Sequence, residues 1–216
     1  MKLLLDQLPF YQAICYAAII HGVLWTILPL AVAKIMGVRI KGVNLMSGKG
    51  KIHKILGYDI TVGWIPTGAS LTLEENAFRE ITAWKWAILS MTATAGLFLI
   101  SYLIAPPQDY LHEASLSYTR MLDSLISPWD VGGPYLYQFG EIASNSIPRA
   151  VSLLCFYSAL LQLIPWPPFT SMGNVFAKLI PNKYYSTLCA LGALASGVLL
   201  IALAIAYIRT CLLFIG

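Results

Sequence analysis

Long apolar runs divide this chain, and its polar residues gather in the gaps between them. The first run, residues 10–36, reads FYQAICYAAIIHGVLWTILPLAVAKIM and contains no Asp, Glu or Arg. A bilayer core takes about 20 apolar residues in helix, so this run is long enough to span with some tilt. Its ionisable residues are His21, well inside, and Lys34, close enough to the end to snorkel. A second run, 84–105, has Trp84 and Trp86 as interfacial anchors and Pro106-Pro107 as a stop. A third, 147–164, opens on Ile147-Pro148, and proline suits a first helical turn. A fourth, 185–214, is bounded by Tyr184, Tyr185 and Arg209. The pattern predicts an α-helical integral membrane protein of about four transmembrane helices, forming a single membrane domain over residues 1–216.

The gaps carry a second pattern. Residues 57–73 read GYDITVGWIPTGASLTL, rich in β-branched and aromatic residues, with Pro66-x-Gly68 as a turn signal in the middle. This predicts a β-hairpin. Its few charges let it lie at or in the membrane surface, where its backbone groups must be paired by protein. Within it, Thr61-Val62-Gly63-Trp64-Ile65 is the expected exposed strand edge. An extended segment of a partner could add there, with Val62, Gly63, Trp64 and Ile65 as the contact.

Charge sets the expected topology. Residues 34–54 hold Lys34, Arg39, Lys41, Lys49, Lys51 and Lys54, which predicts a cytoplasmic loop facing the headgroups. Residues 106–146, an outer loop, carry Asp109, Glu113, Asp123, Asp130 and Glu141 against Arg120. A short interfacial helix is expected over residues 111–126. Lys178 and Lys183 place the connection before the last run on the cytoplasmic side, so both termini are expected outside. Small residues, Gly96 in the second run and Gly192, Ala195, Ser196 and Gly197 in the fourth, suit close helix contacts.

The composition agrees: 58% of the 216 residues are hydrophobic and 11% charged, against roughly 25% charged in a soluble domain. The net charge of +4 belongs to loops and points to no nucleic acid. Cys15, Cys155, Cys189 and Cys211 lie in apolar stretches without CxxC spacing, which suggests neither a disulfide framework nor a thiolate zinc site. Residues 10–36 lack a small-residue cleavage site at their end, so the first run is expected to be retained.

The order of short fragments resembles one family. The first run ends in Val32-Ala33-Lys34-x-x-Gly37-Val38-Arg39, similar to the first core helix of the site-2 protease family of intramembrane zinc metalloproteases. Ile65-Pro66-Thr67-Gly68 resembles the start of that family's Ile-Pro-x-Gly-Gly-Tyr re-entrant loop, with Ala69-Ser70 in place of Gly-Tyr. Asp130-Val131-Gly132-Gly133-Pro134 resembles the segment before its third core helix. Gln162-Leu163-Ile164-Pro165-Trp166-Pro167-Pro168-Phe169-Thr170 resembles its Asn-Leu-Leu-Pro-Ile-Pro-x-Leu-Asp-Gly. The resemblance implies a site-2-protease-like core with a membrane re-entrant hairpin.

At the positions that carry the family's chemistry this chain departs from it. His-Glu-x-x-His is matched by Trp25, Thr26, Ile27, Leu28 and Pro29, Gly-Pro-x-x-Asn by residues 91–95 (MTATA), and the ligating aspartate by Thr170. Trp25 and Pro29 cannot bind zinc, and a threonine hydroxyl is no general base at neutral pH. The expectation is a catalytically inactive relative, a pseudoprotease with no metal and no cofactor, that acts as a structural or partner-binding subunit of a membrane complex. Its expected partners are transmembrane proteins and membrane lipids. Its expected place is the bacterial inner (cytoplasmic) membrane, as a multi-pass protein. The alternative is an active metalloprotease with unconventional ligands built around His21, one turn before Trp25. A histidine hydrogen-bonded to a neighbouring helix, a buried polar residue, is the plainer reading of His21. His112-Glu113 lacks a second histidine, since Leu116 stands there, and His53 lies among lysines.

Overall fold

The computed structural model describes residues 8–47, 50–55, 57–63, 65–74, 80–105, 119, 123, 126–127, 133–166, 170–180 and 182–213. It is mostly helical, with one small sheet. In chain order the elements are α1 (Leu8–Ile35), β1 (Ile40–Ser47), β2 (Lys51–Ile55), β3 (Tyr58–Val62), β4 (Ile65–Leu73), α2 (Ala83–Ile104), α3 (Gly133–Asn145), α4 (Ile147–Gln162), α5 (Ser171–Leu179) and α6 (Asn182–Leu213). Among the described residues, α1 and α2 are each long and apolar enough to cross a membrane. Both are apolar all round rather than on one stripe.

The chain divides into two compact units. One comprises Met1–Ala17, Phe98–Leu160 and Asn182–Gly216. Its core is α4, where Ala150, Val151, Ser152, Leu153, Cys155, Tyr157 and Ala159 are all buried. Ser101 of α2 and Ser152 of α4 clasp one another. The Ser101 hydroxyl donates to the Ser152 carbonyl at 3.0 Å, and the Ser152 hydroxyl donates to the Ser101 carbonyl at 2.8 Å. Both residues are fully buried, so the pairing satisfies hydroxyls that would otherwise be stranded among apolar atoms. Phe98 meets Phe156 edge-on at 5.5 Å beside them, and Phe10 of α1 meets Phe139 of α3 at 5.7 Å.

The second unit comprises Ala18–Leu97 and Leu161–Pro181. Here α1 and α2 approach closely at Gly96. A methyl group added there would overlap Leu28 Cδ1, with Leu24 also in contact, so the small residue is what lets α1 lie on α2. Ala33, Ile81 and Leu89 form a buried cluster at the C-terminal end of α1, covered by Val32, Val38, Ile40, Leu71 and Trp86. Gly37, at φ 67°, turns the chain out of α1 into the sheet, a left-handed conformation that glycine takes without steric cost. Lys85 Nζ donates to the Met36 carbonyl at 2.9 Å and ties the end of α1 to the start of α2.

The sheet corrects the expected hairpin. Its order is β2-β3-β1-β4: β3 runs parallel to β1, β4 antiparallel to β1, and β2 antiparallel to β3. The two halves of 57–73 are therefore not paired with each other. β1, from the supposedly irregular basic stretch, lies between them. The reversal is at Gly57, φ 87°, which joins β2 to β3. Pro66 and Gly68 lie inside β4 rather than at a turn, and proline is tolerated on such an edge strand. The basic stretch is thus two strands rather than a loop.

The outer connection is also more structured than expected. α3 occupies its last part and lies against α6. Of the helix expected over 111–126, Thr119, Asp123 and Ile126 are helical, and the other residues of that stretch lie outside those described. A further short helix, α5, follows α4 where an irregular connection was expected.

Candidate functional site

The residues that the expected resemblance would set at ligand positions, Trp25, Pro29 and Thr170, lie on α1 and at the N-cap of α5, and each has a structural occupation. On α1, His21 and Trp25 stand one turn apart with their rings stacked, centroids 5.6 Å apart and planes 5° apart. The Trp25 indole nitrogen is buried and has no hydrogen-bond partner among the described residues. Thr26 turns its hydroxyl back to the Gly22 carbonyl at 2.7 Å, the usual way a mid-helix threonine satisfies itself. Pro29 is buried inside α1 and has no N–H to give the Trp25 carbonyl.

Thr170 is the N-cap of α5. Its backbone is extended (φ −118°, ψ 156°), and its hydroxyl accepts from Gly173 N at 3.0 Å and from Trp166 N at 3.1 Å. The same hydroxyl donates to the Ile164 carbonyl at 2.6 Å, with the Trp166 carbonyl next nearest at 3.1 Å. One side chain thus ties Ile164 and Trp166 to the helix that follows. Three contacts fill the bonding capacity of a hydroxyl, which leaves no lone pair for a ligand.

Ser171, the next residue, is fully buried. Its amide donates to Gln162 Oε1 at 2.8 Å, and its hydroxyl accepts from Thr94 Oγ1 of α2 at 2.9 Å. Trp86 Nε1 donates to the Asn174 carbonyl at 2.7 Å. These bonds fasten α5 to α2 and to the end of α4 through neutral groups. No base touches the Ser171 hydroxyl in this set, so nothing there activates it as a nucleophile. Among the described residues, no three His, Cys, Asp or Glu side chains come together in a group that could hold a metal ion.

This interlock of Thr94, Gln162 and Ser171 was missed in the sequence. The signal was present: three polar residues at the ends of or within otherwise apolar stretches need hydrogen-bond partners once buried.

The expected docking edge is corrected. Val62 has Leu45 as its neighbour on one side and Lys51 on the other, so β3 is an inner strand. Gly63 is buried and its amide donates to the Leu45 carbonyl at 2.8 Å. Ile65 opens β4, with Ser47 as its partner on β1, and Trp64 lies outside the described residues. The segment was read as an edge because its inner neighbour, β1, was hidden under lysines. Within the sheet the outer strands are β2 and β4. β2 carries Lys51, His53 and Lys54, all exposed, and such charges discourage strand addition. β4, IPTGASLTL, carries no charge. No protein-family model, characterised protein or solved structure matches this chain.

Proposed function

We propose that this chain is a multi-pass protein of the bacterial inner membrane, with a site-2-protease-like framework, that binds transmembrane partners and does not cut them. In this reading α4 and α6 join α1 and α2 as spans. α6, with 32 residues, is about 48 Å long and exceeds a bilayer core, while α4, with 16, is about 24 Å long and lies buried among its neighbours. The observation that carries the reading is Thr170. The position that would supply the third ligand is given over to capping α5, and on α1 the other two positions are Trp25 and Pro29. A zinc protease needs three ligands, an open coordination position and a base, and none of the matching side chains has that chemistry.

The partner segment docks, in this proposal, on β4. It is an outer strand of nine residues without charge, so an extended segment can add to it through backbone hydrogen bonds. A photo-crosslinker placed at Ser70 in β4, with Ile52 in β2 as the control, tests this in native membranes. The expected result is a discrete membrane protein captured from Ser70 and not from Ile52, released uncut. Equal capture from both sites, or a cleaved partner, counts against the proposal.

A further inference from the structure

The sheet has two unlike faces, and one of them extends past the helices that support it. Leu71, Val43, Ile60 and His53 stand opposite one another across β4, β1, β3 and β2, and side chains alternate, so Val62 and Lys51 share their face. The other face carries Asn44, Thr72, Asp59, Thr61 and Lys54, with Ile52 at its outer strand, 67% exposed. The first face is covered at one side only. Leu71 packs on the Ala33–Ile81–Leu89 cluster at the ends of α1 and α2, and Val43 is fully buried. One strand further out, Ile60 is half-buried and Val62 is 43% exposed, and on β2 His53 and Lys51 are exposed. Neighbouring strands lie about 4.8 Å apart, so β2 stands about 10 Å beyond β1.

The level of this overhang is marked by the helices. α1 ends at Ile35 with exposed Lys34 in its last turn, and the sheet begins at Ile40. α2 starts at the same level, tied there by Lys85, whose ammonium also lies 5.8 Å from the Trp84 ring; Trp84 itself is 58% exposed. Tryptophan and lysine at a helix end mark the headgroup layer. The charges sort accordingly. Arg39 is matched by Glu80 at 2.6 Å, and Lys54 has Asp59 as its cross-strand partner on the opposite face. Lys51 and His53 have the apolar Val62 and Ile60 opposite them.

We propose that the face bearing Ile60, Val62, Lys51 and His53 lies on anionic lipid headgroups, with Lys51 and His53 on phosphates and Val62 in the interface. This rests on α1 and α2 crossing the bilayer. It gives the chain a binding site for acidic lipids, the surface against which β4 is presented to a partner.

The test uses the full chain in nanodiscs, with its four cysteines replaced and a single bimane-labelled cysteine at Val62 or Thr61, adjacent residues on opposite faces. The quencher is a lipid with a headgroup nitroxide, and the lipid is phosphatidylcholine with or without phosphatidylglycerol. Quenching is expected to be at least about twofold stronger at residue 62 than at 61, to rise with phosphatidylglycerol, and to fall toward equality on Lys51→Glu. Equal quenching at 61 and 62, or no response to phosphatidylglycerol, overturns the proposal. A probe at 62 that is shielded equally in detergent also overturns it, since protein then covers the face. A third label at Leu99, quenched by a nitroxide in the acyl chains, separates failure of this inference from failure of the membrane reading.

Discussion

Replacing Thr170 by alanine removes one hydroxyl from three contacts. Loss of the N-cap costs about 0.5–2 kcal/mol in a typical helix. The Trp166 amide and the Ile164 carbonyl each lose one contact but keep each other, the amide donating to the carbonyl at 2.8 Å, so neither is left unpaired. Thr170 is half-buried, and the expected loss is that of the cap, about 1–2 kcal/mol. Serine keeps all three bonds and forfeits one methyl group, so Thr170→Ser should stay within about 1 kcal/mol of wild type. Thr170→Asp introduces the aspartate that the resemblance would set at this position. Its carboxylate can accept from Gly173 N and Trp166 N, but it has no proton for the Ile164 carbonyl, now 2.6 Å from the hydroxyl oxygen. It should fall between serine and alanine. Reversible unfolding in mixed dodecylmaltoside–SDS micelles, followed by circular dichroism, ranks the variants. Alanine and aspartate both unfolding at the wild-type SDS fraction would refute the claim that Thr170 is a cap.

Three further outcomes follow from the same geometry. Ser101→Ala and Ser152→Ala each remove one hydroxyl-to-carbonyl bond, and each should cost about 0.6 kcal/mol and at most about 1.7 kcal/mol by unfolding in the same micelles. No loss in either variant would mean the clasp is not formed. Gly42→Ala should loosen the sheet, because the new methyl overlaps the Asp59 carbonyl on β3 and backbone cannot rotate away; faster proteolysis within residues 37–80 at unchanged helix content reports it. Gly96→Ala meets the flexible ends of Leu28 and Leu24 and should cost less than about 1 kcal/mol, while Gly96→Phe should cost about 1–3 kcal/mol or more by thermal unfolding.

The four apolar helices were legible in the sequence because their signal is continuous, whereas α3 and α5, shorter and more polar, were read as connections. Residues 10–36 and 84–105 correspond to Leu8–Ile35 and Ala83–Ile104, and 147–164 and 185–214 correspond to Ile147–Gln162 and Asn182–Leu213. A run without charge, closed by Lys34 or by Pro106-Pro107, has few alternatives. The sheet was half-legible. β3 and β4 were found as extended, but β1 and β2 were hidden, because lysine at 41, 51 and 54 reads as solvated loop until the alternation of Val43 with Leu45 is noticed. A parallel β1–β3 pairing cannot be read from local turns at all, since it joins strands that are not consecutive. At the site, the identities of Trp25, Pro29 and Thr170 were legible, but not the cap that Thr170 forms. The Thr94–Ser171–Gln162 interlock was not, because it depends on how α2, α4 and α5 meet rather than on any spacing along the chain.

The central claim is that this framework holds partners without the metal chemistry of the family it resembles. Elemental analysis of the full chain, purified in mild detergent from cells grown in zinc-replete medium, tests it most directly. Zinc is expected far below one atom per chain, unchanged in His21→Ala. One tightly held zinc per chain that is lost in His21→Ala would contradict it.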